Sequence, residues 1–190
     1  MSEPRKIVLS KTRITCNKEM LSARFSIESE IQLFSLKTIF EAYETAEFSR
    51  QCGSYAVINP DDGRVLVIPS ELVADFNEIQ ELESQISNGH WIELPTRNEL
   101  DLGKSLVSQF VGLYLDPKDK NRVERYFSRR GGYRKWKALL IERGLEQKWY
   151  RFEMDSTVTA LKDWLHRNDI AFIDDSDDLF VNNEQLELSH

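Results

Sequence analysis

Ser128-Arg-Arg-Gly-Gly-Tyr-Arg-Lys-Trp-Lys-Ala-Leu-Leu-Ile-Glu-Arg-Gly-Leu-Glu-Gln-Lys-Trp-Tyr-Arg151 brings together a glycine pair, two tryptophans, two tyrosines and the densest positive charge in the chain. The pair Gly131-Gly132 marks a helix break, and a new helix runs from it to about Arg143, where Gly144 stops it. Tyr133, Trp136 and Leu140 are spaced to face one core, which turns Arg134 and Lys135 outward. Leu145 to Phe152 then continue on a new axis. Just upstream, Asp116-Pro117-Lys118-Asp119 supplies a cap, a proline at the first helical position and an acid in the first turn, so a helix is predicted over 118–128 with Val123, Tyr126 and Phe127 inward.

The rest of the chain is more mixed. Leu36, Ile39, Phe40 and Tyr43 follow the spacing of one helical face, with Ser35 placed as cap. Residues 54–59 and 64–68 are β-branched runs on either side of Pro60-Asp-Asp-Gly63, a hairpin signal. Ser70 is predicted to cap a helix with Leu72, Phe76, Ile79, Leu82 or Glu83, and Ile86 inward and an acidic outer face. Residues 91–94 read as a strand beside the hairpin, stopped by Pro95. A helix through Leu102, Leu106, Phe110 and Leu113 is predicted to begin at Thr96 or Asn98. A last helix is predicted to be capped at Asp155 or Ser156, with Val158, Leu161, Trp164 and Leu165 inward, and Ile170 to Ile173 read as a closing strand.

These elements predict an α+β fold, a small antiparallel sheet (the hairpin plus one or two short strands, 91–94 and 170–173) packed on five to six helices. The expected organisation is an N-terminal extension (1–29), one domain (30–173) and an acidic C-terminal tail (174–190). A chain of 190 residues with 41% hydrophobic content can bury such a core. No apolar run approaches the roughly 18 residues needed to span a bilayer, and the first ten residues lack a secretory signal pattern. With two distant cysteines, Cys16 and Cys52, the expectation is a cytoplasmic protein with no membrane partner.

From about Leu36 to Ile173 the order of landmarks resembles the UPF-zero-one-five-eight family of uncharacterised bacterial proteins. The carriers are the helix at Leu36, the hairpin turn Asn59 to Gly63, Leu94-Pro95 leading to Tyr114, the block Arg130-Gly-Gly-Tyr-Arg-Lys-Trp-Lys137, Trp149, Phe152 and Trp164-Leu165. Tyr133 and Trp136 stand where that family prefers phenylalanine. The resemblance implies the fold and no activity.

Charge is polarised along the chain. Residues 118–151 hold 12 Lys or Arg against 4 Asp or Glu, a net +8 within a chain of −7. Residues 168–190 hold seven acids and no Lys or Arg. Arg129, Arg130 and Arg134, with Lys135, surround a helix start at Gly131 and Gly132 whose first amides lack intrahelical partners, a sensible anion site. Two alternatives stand beside it. The bases can pair with the protein's own acids, and the aromatics, which could stack on unpaired bases, have the spacing of core residues. The candidate partners are nucleic acid, an acidic protein or a phosphorylated small molecule.

Catalytic signals are thin. His90, His166 and His190 have no nucleophile or acid at motif spacing, Asp174 to Asp178 lacks the glycine and glutamate of a calcium loop, and the lone glycine pair is no phosphate loop. No cofactor or metal site is expected. The expected function is therefore a non-enzymatic binding or adaptor module with an anion-accepting face, and the alternative is an enzyme acting on nucleic acid or a phosphorylated substrate. The oligomeric state is open. A mobile acidic tail would compete with an external anion for the basic face, whereas a docked tail would support stability instead.

Overall fold

The computed structural model describes residues 6–8, 33–72 and 74–179. The fold is α+β, and the chain divides into two compact units, 1–94 with 165–190, and 95–164. The expectation of one block over 30–173 does not draw that division.

In the first unit β1 (Lys6–Val8) and β2 (Phe34–Ser35) precede α1 (Leu36–Ser49). Ser35 caps α1 as expected, its Oγ accepting the Thr38 N–H at 3.1 Å, and Leu36, Ile39, Tyr43 and Ala46 form its buried stripe. A 3-10 turn, Arg50–Cys52, leads to the hairpin β3 (Tyr55–Ile58) and β4 (Val65–Ile68), paired Tyr55 to Ile68 through Ile58 to Val65. Its turn is closed by the Gly63 N–H on the Asn59 carbonyl at 2.9 Å, while the Asn59 side chain accepts the Asp61 N–H at 2.9 Å. α2 (Phe76–Ser87) follows, and β5 (Ile92–Glu93) takes the free edge of β3, giving the sheet order β4-β3-β5.

Three expectations change here. Asp75, not Ser70, caps α2; Ser70 is buried, and its N–H is held by Ser54 Oγ at 3.0 Å. Leu72 and Phe76 are exposed, at 81% and 60%, and Ile79 is the buried residue of α2. The strand near 170–173, now β6 (Phe172–Asp174), does not join the hairpin. It is the centre of a separate sheet, antiparallel to β1 and parallel to β2, with Phe34 and Phe172 both buried.

The start of the acidic tail is part of this unit. Asp175 accepts the Ser35 hydroxyl at 2.6 Å and the Lys37 N–H at 2.8 Å, placing a carboxylate at the positive end of α1. Ser176 and Leu179 are buried. Residues 180–190, on which tail competition would chiefly rest, lie outside the described residues, as does the N-terminal extension 1–29 apart from 6–8.

The second unit opens with turns over 97–103, not with a helix. Thr96 and Glu99 do exchange the reciprocal bonds of a capping box, 2.7 and 3.2 Å. A left-handed Asp101 (φ 55°) then ends that turn, and α3 starts at Lys104 (Lys104–Tyr114). Leu106 and Phe110 are buried in it, while Leu113 faces water. α4 (Pro117–Phe127) starts as expected, with Asp116 as cap. α5 (Gly132–Arg143) ends at Gly144, and α6 (Glu146–Arg167) follows as one unbroken helix. No cap forms at 155–156, because Ser156, Thr157 and Thr159 donate their hydroxyls to carbonyls four residues back.

The core of the second unit is aromatic. Trp136 and Trp149 meet edge to face at 5.3 Å, and Phe110 lies within 6 Å of both rings and of Phe152. Trp136, Trp149 and Phe110 have no exposed surface, so core packing, not base stacking, holds for both tryptophans. Phe152 and Trp164 are half-buried. Tyr133 breaks the expectation: it is 40% exposed. The buried arc of α5 is Gly132, Trp136, Leu139 and Leu140, and at 100° per residue Tyr133 stands on its rim.

Candidate anion-binding site

The expected site residues gather at the corner between α4 and α5. α4 winds down with the Ser128 N–H on the Glu124 carbonyl (3.1 Å) and the Arg129 N–H on that of Tyr126 (3.4 Å). Gly131 then takes φ 78°, a conformation that a side chain disfavours. Gly132 is needed for space: a Cβ there would sit 2.5 Å from the Tyr126 carbonyl oxygen. The two glycines thus let α5 begin directly against the end of α4, by different means.

Arg129, Arg130, Arg134 and Lys135 are all exposed around that start. Among the described residues no acid forms an ion pair with any of them, and no side chain caps α5. Amides at a helix start lack partners within the helix and carry the positive end of its dipole. Guanidinium donors around such a start match the oxygens of a phosphate or carboxylate.

The same two helices hold a second set of bases that sequence reasoning missed. Asp119 on α4, its side chain only 2% exposed, receives Arg143 Nε at 2.6 Å and Arg122 Nη1 at 3.1 Å. Arg122 also makes a two-toothed contact with Glu142 at 3.1 and 2.8 Å and donates to the Tyr126 hydroxyl at 3.2 Å. Hydrogen bonds from Arg143 hold the Asp119 carboxyl below its usual range against the opposing push of burial, with Arg122 adding to them. Arg122 likewise lowers Glu142. Spacing hinted at part of this, since Asp119 and Arg122 stand three apart and Arg122 and Tyr126 four apart on one helix. The 24 residues between Asp119 and Arg143 left no such trace.

Tyr133 lies at the edge of a further pair. Its hydroxyl reaches Glu153 at 3.4 Å, and Glu153 also holds Arg97. Partial burial, then the Glu153 charge, pushes the phenol above its usual pKa. Lys137 rests over the Tyr133 ring at 5.5 Å, and Lys135 over that of Tyr126 at 5.9 Å.

Other candidates stay apart. His90 is exposed beside Asp61 at 3.6 Å, and His166 packs edge-on to Phe172 at 5.3 Å. Within Asp174 to Asp178, Asp174 accepts the Ser176 hydroxyl at 2.6 Å and Asp175 serves α1. Among the described residues no three His, Cys, Asp or Glu side chains are grouped to hold a metal ion, and no helix is long and apolar enough to cross a membrane. Residues 95–164 hold 15 Lys or Arg against 10 Asp or Glu, a net +5, which leaves −12 for the rest of the chain. Compared with protein-family models, with curated proteins and with solved structures, the chain matches none.

Proposed function

We propose that residues 95–164 form a binding module whose corner at Arg129, Arg130, Gly131, Gly132, Arg134 and Lys135 accepts a polyanion. The observation that carries this reading is that Arg129, Arg130 and Arg134 are exposed, with no acid paired to them among the described residues, around a helix start that no side chain caps. The shifted acids of the unit are not placed to act as general acids. Asp119 and Glu142 are held ionised by arginines, the opposite of what a general acid requires. The proposed kinship with the UPF-zero-one-five-eight family adds no activity.

The test is binding of inorganic polyphosphate and of mixed oligonucleotides as salt is raised. A site that neutralises about three phosphates gives a slope of about −2 to −3 in log affinity against log salt. Combined Arg130→Glu and Arg134→Glu removes most binding and leaves the melting temperature close to that of the parent. Absence of binding to every one of these polyanions at low salt overturns the reading.

A further inference from the structure

We infer that the polyanion is single-stranded nucleic acid, with bases stacked on Tyr133 and the arginines on its phosphates. This rests on the anion reading above and goes further, because the exposed corner contains aromatic faces as well as charge.

Lys135, Arg134 and Lys137 all lie off the buried arc of α5. Going round the outside of the helix at 100° per residue, Tyr133 with Lys137 stands on one flank, Arg134 on the outer side, and Lys135 over Tyr126 on the other flank. The half-buried Tyr126 and the 40%-exposed Tyr133 therefore flank Arg134, each with a lysine ammonium near its face. Ion pairing separates these lysines from the cation over a ring in the first unit. Arg64 lies over Trp91 at 5.0 Å but is tied to Asp62 at 2.8 Å, whereas no acid pairs with Lys135 or Lys137 among the described residues.

An ammonium over an exposed ring is held weakly, and a nucleobase stacks on a tyrosine more strongly. Stacking on Tyr133 displaces Lys137 from the ring and frees it for a phosphate, so the base and the backbone are engaged together. An acidic peptide would use the arginines but not the rings. A duplex hides its base faces between neighbours about 3.4 Å apart along each strand, and flanks separated by a helix diameter of about 10–12 Å can be reached only by bases free of the stack. Unpaired strands are the nucleic acids that offer them.

The experiment compares four probes at low salt: an oligothymidylate of about 12 nucleotides, within the site sizes of single-strand binders, a duplex of equal length, inorganic polyphosphate and polyglutamate. The intact chain is expected to prefer the oligothymidylate. Tyr133→Leu weakens it on the order of 10-fold and leaves polyphosphate binding unchanged, and Tyr133→Phe, which keeps the ring and gives up the bond to Glu153, binds like the parent. Unchanged polyphosphate binding also reports that the leucine variant is folded. Equal binding of duplex and single strand with no effect of Tyr133→Leu, or a preference for polyglutamate, overturns the single-strand inference and leaves the anion reading standing. If Tyr133→Phe loses as much as Tyr133→Leu, the hydroxyl and not the ring is responsible, and stacking is overturned. Failure of all four probes overturns both readings.

Discussion

Of the six arginines on or beside the same pair of helices, Arg125 bonds back to the Asn121 carbonyl and the other five divide into two groups. Arg122 and Arg143 converge on Asp119, and Glu142 closes the set. Arg129, Arg130 and Arg134, at the other end of α5, meet no acid among the described residues. The side chains are chemically identical, so position alone separates a structural clamp from a surface open to a partner. Summed charge does not show this, since each arginine of either group adds one positive charge to the +5 of residues 95–164. A basic segment becomes a binding face only after the bases committed to its own acids have been subtracted.

The two groups share a platform, and breaking it has the largest expected effect. Trp136 is fully buried between α5 and the aromatic core around Phe110 and Trp149. Trp136→Ala is expected to cost about 3–5 kcal/mol in urea unfolding, through lost transfer energy and the cavity left behind. Trp136→Phe is expected to cost less, because it keeps a ring and removes an indole N–H that has no hydrogen-bond partner in the core. A small loss for alanine would show that α5 is not held rigidly enough to keep the two groups apart.

Asp119 comes next. Its replacement by asparagine keeps the shape and removes the charge that Arg122 and Arg143 share. Bonds to charged groups contribute roughly 1.5–3 kcal/mol, and the partial exposure of both arginines, 27% and 37%, places the loss toward the lower end, because water can resolvate them. The pH dependence has a definite sign. Asp119 is depressed in the folded state, so its contribution is fully present above the unfolded carboxylate value of about 3.9 and is lost as pH falls through the lower folded value. The stability gap between parent and Asp119→Asn should therefore be constant from neutral pH to about 4 and close below it. A gap that closes near neutral pH would assign the effect to another group.

How much of this was legible depended on whether local chemistry and tertiary packing agreed. Asp116 and Pro117 marked the start of α4, and Gly131 and Gly144 bracketed α5, because each signal acts within one turn of chain. Thr96 to Glu99 carried an equally good local signal and formed its capping box, yet Asp101 ended the turn before a helix could grow. Ser156 was misleading for the reverse reason: its hydroxyl can cap a helix start or bond back to a carbonyl, and it does the latter in the middle of α6. Tyr133 has core spacing relative to Trp136, but the arc centres on Trp136 and leaves Tyr133 at its edge. At the site, helix phase placed Arg134 and Lys135 outward. Which arginines were already paired depended on contacts across 20 and 24 residues, beyond any local pattern.

The smallest expected effect is the sharpest test of the comparison. Combined replacement of Arg129, Arg130 and Arg134 by alanine removes three like charges from one corner and no ion pair among the described residues. Surface substitutions of this kind shift stability within about 0.5 kcal/mol, and relief of mutual repulsion makes the expected direction a gain. That gain should be visible at 0.01 M salt, where the Debye length is about 30 Å, and vanish at 1 M, where it is about 3 Å. Arg143→Ala should behave oppositely and lose stability at both salts, because Asp119 keeps Arg122 but gives up its 2.6 Å partner. Melting curves of both variants at the two salts decide the matter. If the triple variant loses stability as Arg143→Ala does, its arginines have structural partners, and the division into committed and open bases fails.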